Sequence, residues 1–230
     1  MRLILSGLLM LVGLADLPGT RAVVRTTDDA TRPRSVVASR MPQQCQPRKT
    51  SPEALGWRWK PGTSVSIDYL KNNFTEVEKE ALSRAVNYWN EALAGSASRV
   101  AFVVRAESEV PVRDSAGIEV ARGIPRGRER VGEIRFHSIA NGMTRLRMTV
   151  SPVVTDLNAL TSLMTHEMGH SLGLADCYEC RRGTTAMAAF KSKNKGNDVY
   201  EPSACDKYVV AAGYALQSGD QSQVVRNESK

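Results

Sequence analysis

Residues 166–176 read His-Glu-Met-Gly-His-Ser-Leu-Gly-Leu-Ala-Asp, and they constrain the fold more than any other segment of the chain. On a helix, positions four apart lie on one face, so His166 and His170 point their imidazoles the same way. Gly173 tolerates the positive φ with which a chain can leave a helix. The segment therefore predicts a helix, a turn at Gly173, and a return of Asp176 towards the two histidines.

Two imidazoles and a carboxylate suit a catalytic zinc site, which has three protein ligands and one open position. Glu167 is placed to take a proton from a metal-bound water. The sequence contains only three histidines, and the third, His137, is the alternative third ligand. Asp176 is favoured because it follows the helix by one short turn, whereas His137 lies in a predicted strand and can face either way. We therefore predict one zinc ion bound by His166, His170 and Asp176, with Glu167 as general base.

The N-terminus predicts export. An apolar run from Leu3 to Leu14 follows a positively charged start and is shorter than the roughly 20 residues that span a bilayer. With small residues near Ala15 or Ala22 behind it, the run is typical of a signal peptide, assigned to residues 1–22, and an N-terminal anchor is the alternative. The net charge of +7 is spread out, which disfavours nucleic-acid binding. We expect a secreted or periplasmic/extracellular protein without stable membrane insertion after signal removal.

Four cysteines are consistent with an oxidising compartment and allow three pairings. A local pair between Cys177 and Cys180 would tighten the loop after Asp176. Cys45 and Cys205 would then connect the N-terminal segment to the C-terminal region. A redox or zinc-binding role of the C-x-x-C segment is the alternative, but the other two cysteines are too far apart in sequence to favour a second zinc site.

Composition and periodicity divide the chain into a signal peptide, a linker or pro-segment at 23–57, a folded domain at 58–216 and a polar tail at 217–230. Predicted strands cover Val65–Tyr69, Val100–Val104, Gly132–His137 and Met143–Val150, with a surface loop at 107–130. Helices are predicted to begin after the caps Thr75, Asp156 and Ser203.

The segment at 166–176 resembles H-E-x-x-H-x-x-G-x-x-H/D, the motif of the metzincin clan of zinc endopeptidases. Asp176 is similar to the aspartate of the snapalysin-type variant, and Met187 in Thr185-Ala186-Met187 is similar to the Met-turn that floors the metal site. The resemblance implies an α+β fold with a twisted mixed β-sheet of about four to five strands and two long helices. A small irregular C-terminal subdomain would end in a helix. The short chain favours the matrixin/snapalysin side of the clan.

The chain departs from the clan at three places. Ala189 stands where astacin-like and serralysin-like members carry a tyrosine ligand. A second, structural zinc is not indicated, because His137 is the only histidine outside the motif. Cys45 lies in the region of the matrixin cysteine switch but lacks its surrounding motif, so a structural disulfide is favoured.

The resemblance implies a secreted zinc endopeptidase that hydrolyses peptides or proteins with a Glu-assisted water, and we expect it to be a monomer. The substrate would lie extended along an edge strand, for which Met143–Val150 is the candidate. One alternative is a catalytically silent metal-binding or adhesion module, against which Glu167 argues. The other is a zinc hydrolase of small amides.

Overall fold

The computed structural model describes residues 41–69, 74–105, 116–127, 130–140, 143–189 and 199–224, without the side chains of 136–143 and 216–224. The predicted signal peptide and residues 23–40 of the predicted linker lie outside the described residues. The elements in chain order are β1 (Ser64–Tyr69), α1 (Glu76–Leu93), β2 (Ala101–Val104), β3 (Gly117–Arg122), β4 (Gly132–Ala140), β5 (Met143–Val150), α2 (Leu157–Ser171) and α3 (Ala204–Val224).

The three helices begin where their caps predict. Thr75 and Glu78 form a reciprocal capping box, in which the Glu78 carboxylate accepts the Thr75 amide at 2.6 Å. Asp156 accepts the amide of the third residue of α2 at 2.9 Å, and Ser203 accepts the corresponding amide of α3 at 3.2 Å. These predictions are confirmed. The last helix extends to Val224, into the predicted polar tail.

The sheet has five strands in the order β2-β1-β3-β5-β4. All neighbours are parallel except β4 and β5, which are antiparallel. The central strand β3 lies inside the predicted loop 107–130, so that part of the prediction is wrong. Its apolar residues Ile118 and Val120 are buried, but Glu119 and Arg122 interrupt them and the flanking sequence is charged. The strand is therefore stabilised by pairing on both sides rather than by a strong local pattern.

The prediction of Met143–Val150 as an edge strand is also wrong. This segment, β5, pairs with β3 on one side and with β4 on the other, so it lies inside the sheet. The edges are β2 and the antiparallel strand β4. Alternating hydrophobicity identifies a strand but not its neighbours, which is why the sequence pattern could not place it.

Helices α1 and α2 pack together, which fixes α2, the helix that carries His166 and His170, on the core. Trp89 of α1 is fully buried, and its indole N–H donates to the Thr165 carbonyl of α2 at 2.8 Å. Residues 160–169 of α2 are all buried, so this helix is enclosed on all its faces rather than amphipathic. Within the described part of the chain, no helix is both long and apolar enough to cross a membrane.

Candidate metal centre and active site

The side chains of His166, His170 and Asp176 converge at the end of α2. Asp176 Oδ1 lies 3.0 Å from His166 Nε2 and 3.5 Å from His170 Nε2. One possible ligand atom from each residue lies within 4.8 Å of the other two. Among the described residues, this is the one group of three or more His, Cys, Asp or Glu side chains close enough to hold a metal ion.

The turn at Gly173 brings Asp176 back to the helix. Gly173 has a φ of +85°, in the region that side chains disfavour. Its backbone also lies against the carbonyl oxygen of Trp57, which a Cβ atom would overlap. The Leu174 amide donates to the Gly169 carbonyl at 3.1 Å and closes the end of the helix. Glycine is thus required at this turn for both conformation and space.

Backbone carbonyls orient both imidazoles. His166 Nδ1 donates to Ala186 O and His170 Nδ1 donates to Leu174 O, each at 2.8 Å. A carbonyl oxygen only accepts, so the Nδ1 atoms carry protons, and each Nε2 can either hold a second proton that it donates to Asp176 or offer a lone pair to a metal ion. When the imidazoles are neutral, two lone pairs and a carboxylate oxygen face one another, an arrangement that a bound cation would stabilise. The donor set therefore fits a metal ion bound by His166, His170 and Asp176.

The protonation of the group shows how strongly its members interact. Burial acts to raise the pKa of Asp176, but hydrogen bonds from His166 and His170 outweigh it and hold that pKa below its usual range. For His170, burial acts to lower the pKa, and the hydrogen bond to Asp176 together with the charges of Glu167 and Asp176 raises it. A proton on either histidine stabilises the negative charge of the Asp176 carboxylate, as a bound metal ion would.

Glu167 places an unpartnered carboxylate beside this group. The residue is 4% exposed, and its Oε2 atom is buried without a hydrogen-bond partner. Burial raises the pKa of Glu167, while the neighbouring His166 and His170 act to lower it. A buried carboxylate oxygen without a partner is costly in a folded protein unless water or a ligand pairs with it.

Gly132, the first residue of β4, makes room for that carboxylate. A Cβ atom at this position would lie 2.5 Å from Glu167 Oε1 and 2.8 Å from Leu163 Cδ1. The absence of a side chain thus lets Glu167 lie against the start of the edge strand. Sequence reasoning missed this role, because a glycine at the beginning of a predicted strand is commonly a turn residue.

Met187 lies beneath α2. Its side chain is fully buried, and a Cβ atom on Gly169 would overlap its sulfur and lie 3.1 Å from Trp89. The Met187 carbonyl accepts the Cys177 amide at 2.7 Å, so the chain that leaves Asp176 returns under the helix. Gly169, an unspecified position of the motif, is therefore small because Met187 packs against it.

A buried carboxylate on α3 holds the Met187 segment. Asp206 is fully buried; it accepts the Ala186 amide at 2.9 Å and the hydroxyl of Thr185. The Thr185 hydroxyl oxygen in turn accepts the Met187 amide at 3.0 Å. Since Ala186 also carries the carbonyl that orients His166, Asp206 acts on the metal group through the backbone. From the sequence alone, Asp206 is recognisable only as an acidic residue in the first turn of a helix.

Both predicted disulfides are present, and the described residues contain no free cysteine. Cys177–Cys180 closes the loop directly after Asp176. Cys45–Cys205 joins the N-terminal segment to α3, next to Asp206. Of the three pairings that four cysteines allow, the structure has the one that includes the local pair.

The N-terminal segment pairs with the metal-site turn. The Leu55 amide donates to the Gly173 carbonyl at 2.6 Å, and the Ala175 amide donates to the Glu53 carbonyl at 2.8 Å. Residues of the predicted linker or pro-segment thus contact the loop that carries Asp176. This contact joins residues more than a hundred positions apart, so no local sequence pattern predicts it.

One further described side chain bears on the site. The Tyr178 hydroxyl donates to Asp176 Oδ2 at 3.0 Å, and the ring is 65% exposed. This hydrogen bond to Asp176 raises the pKa of Tyr178. His137, the alternative third ligand, lies in β4 where the pairing register shifts between Phe136 and Ser138. Its side chain lies outside the described residues.

No family model matches the sequence, and no curated protein matches it. A solved structure of myroilysin aligns over 68% of this chain and 95% of its own, with 12% identity and a TM-score of 0.38. A chaperone–substrate complex aligns over 67% of this chain and 38% of its own, with 16% identity and a TM-score of 0.36. Both scores are too low to establish a shared fold, so neither likeness supports a functional conclusion.

Proposed function

We propose that the chain is a secreted zinc-dependent endopeptidase that hydrolyses peptide bonds with the assistance of Glu167. The observation that carries this proposal is the buried, unpartnered Glu167 carboxylate beside the converging ligand atoms of His166, His170 and Asp176. The two disulfides are consistent with the oxidising compartment of an exported protein.

The donor set favours zinc over the hard cations. Two neutral imidazole nitrogens and one carboxylate oxygen are typical zinc ligands, whereas magnesium and calcium prefer oxygen. Three protein ligands leave one position open, which is the arrangement of a catalytic zinc rather than a structural one. A bound zinc ion would polarise the scissile carbonyl and lower the pKa of the attacking water.

The protein's own groups perform the proton transfers. Glu167 Oε2 accepts a proton from the attacking water and delivers it to the nitrogen of the leaving amine. The surrounding core, with Leu163 beside the carboxylate at Gly132, restricts the access of other water to Glu167. The exposed hydroxyl of Tyr178 lies at the rim, where it can donate to a substrate oxygen once it leaves Asp176.

The proposed peptide-binding site is the outer edge of β4, with which no strand of the described residues pairs. β4 is an antiparallel edge strand, and its first residue, Gly132, lies against the Glu167 carboxylate. An extended substrate that adds to this edge pairs through its backbone and brings one peptide bond next to Glu167. We therefore propose peptides or proteins as substrates and a monomer as the acting species.

The test is the Glu167→Gln variant of the zinc-loaded protein. We expect it to lose casein hydrolysis while it keeps its zinc content, because the amide cannot accept the water proton and the three ligands are unchanged. Glu80→Gln on the exposed face of α1 is the matched charge control and should retain activity. Casein hydrolysis that survives in Glu167→Gln would disprove the mechanism.

The same assay separates the alternatives. A wild-type protein that binds zinc but cleaves neither casein nor small amides would be the silent metal-binding module. Cleavage of small amides without any cleavage of casein or of a peptide library would indicate a small-amide hydrolase instead.

A further inference from the structure

We propose that a cavity beside His170 and Asp176 is a subsite for a lysine or arginine side chain that flanks the scissile bond of the substrate. This inference rests on the proposed endopeptidase function and deepens it by naming a substrate class.

The cavity has a volume of about 490 Å³ and opens directly onto His170 and Asp176. One wall is the N-terminal segment with Arg48, Glu53 and Leu55, and the other is the loop from Ala175 to Glu179. Its size falls within the range of small-molecule pockets and is ample for one long side chain. A peptide held at the metal group would have a side chain within reach of it.

The two walls are fixed to each other. Cys45–Cys205 secures the start of the N-terminal segment. The backbone hydrogen bonds between Leu55 and Gly173, and between Ala175 and Glu53, hold the rest of it to the metal-site loop. A preformed pocket of this kind binds a side chain without first having to order its own walls.

The lining combines an apolar surface with an excess of negative charge. Leu55 and Tyr178 are 44% and 65% exposed, so both can receive the aliphatic stem of a long side chain. Apart from Asp176, which belongs to the candidate metal group, the walls carry two carboxylates, Glu53 and Glu179, and one guanidinium, Arg48. These three groups leave one negative charge in excess. A cation on an aliphatic stem fits both features, and the Tyr178 ring adds an aromatic face for it.

Arg48 shows that one of these carboxylates, Glu53, accepts a guanidinium. Its Nε atom lies 2.8 Å from Glu53 Oε1, with side-chain exposures of 65% and 54%. The hydrogen bond to Glu53, together with the charges of Glu53 and Glu179, raises the pKa of Arg48. An ion pair this exposed is weak, so a substrate cation can share or displace it. Arg48 is then an internal competitor of the substrate.

The experiment compares matched peptides with the full-length, zinc-loaded protein. A peptide library first identifies a cleaved sequence, and each residue next to the scissile bond is then made lysine or norleucine, its uncharged analogue. We expect lysine to be preferred at one flanking position, by about threefold to tenfold in kcat/KM, with a preference that falls as salt is raised. Glu53→Gln and Glu179→Gln should each reduce this ratio by about threefold, and Arg48→Gln should raise it.

A purely structural role of these residues would not produce changes of opposite sign. Glu80→Gln is the control for Glu53→Gln, because Glu80 is 53% exposed and pairs with Arg84 at the same 2.8 Å; it should leave the ratio unchanged. Equal cleavage of lysine and norleucine peptides by the wild type, or an equal loss for both in Glu179→Gln, would refute the subsite alone. A library in which no peptide is cleaved would refute the proposed function and this inference with it.

Discussion

The carboxylate of Asp206 accepts the Ala186 amide at 2.9 Å, and through this contact α3 holds the residue whose carbonyl orients His166. The carboxylate belongs to neither the motif nor its loop. Asp206 lies next to Cys205, which is bonded to Cys45. Helix α3 is therefore joined both to the Met187 segment and to the N-terminal segment.

We expect Asp206→Ala to weaken zinc binding. The change removes the carboxylate that accepts the Thr185 hydroxyl and the Ala186 amide, and loss of such outer contacts typically costs about tenfold to a hundredfold in metal affinity. Unfolding should also require less free energy, by about 1–3 kcal/mol. Chelator competition measures the zinc affinity.

The control is Asp156→Ala, which removes the exposed cap of α2 and should lower stability without changing zinc affinity. An unchanged zinc affinity in Asp206→Ala would contradict the prediction.

Gly173→Ala should destabilise the protein more than Gly183→Ala. Both glycines have a positive φ, +85° and +83°, so each alanine carries a backbone strain of about 1 kcal/mol. At Gly173 the new Cβ also overlaps the Trp57 carbonyl, whereas at Gly183 nothing lies within 4 Å. The free energy of unfolding, measured with denaturant, should show the difference. Equal losses would mean that the Trp57 contact is unimportant.

Gly132→Ala should impair hydrolysis and spare zinc binding. The added methyl group requires Glu167 Oε1 to move, and a displacement of about 1 Å in a catalytic group can reduce the rate by about a hundredfold. Gly123→Ala is the control, since its Cβ would lie 3.4 Å from Thr149, close to ordinary contact. The measurements are kcat/KM on a cleaved peptide and the zinc content. Full activity in Gly132→Ala would show that Glu167 accommodates the methyl group without losing its catalytic position.

Asp176→Ala should remove the third ligand, whereas His137→Ala should leave zinc affinity unchanged. Asp176 Oδ1 lies within 3.5 Å of both histidine nitrogens, so its loss leaves two ligands. Zinc titration of the metal-free proteins tests both variants. The zinc-dependent rise in stability, about 2.7 kcal/mol at a hundredfold excess over Kd, should disappear only in Asp176→Ala. The opposite pattern would identify His137 as the ligand.

Local features were predictable because they depend on neighbours in sequence. The caps at Thr75, Asp156 and Ser203 need only the next three residues, and the helix that carries His166 and His170 follows from their spacing. The pairing of Cys177 with Cys180 leaves Cys45 and Cys205 to each other.

The rest depends on contacts between distant residues, which only the tertiary structure decided. β3 is a strand because β1 and β5 supply its hydrogen bonds, and β5 is interior because β4 covers its other side. The proximity of Gly132 to Glu167 and of Asp206 to Ala186 arises from packing across the core. The sequence by itself determined which residues offer metal-binding chemistry, and the fold determined what orients them, because orientation comes from backbone groups that carry no side-chain signal.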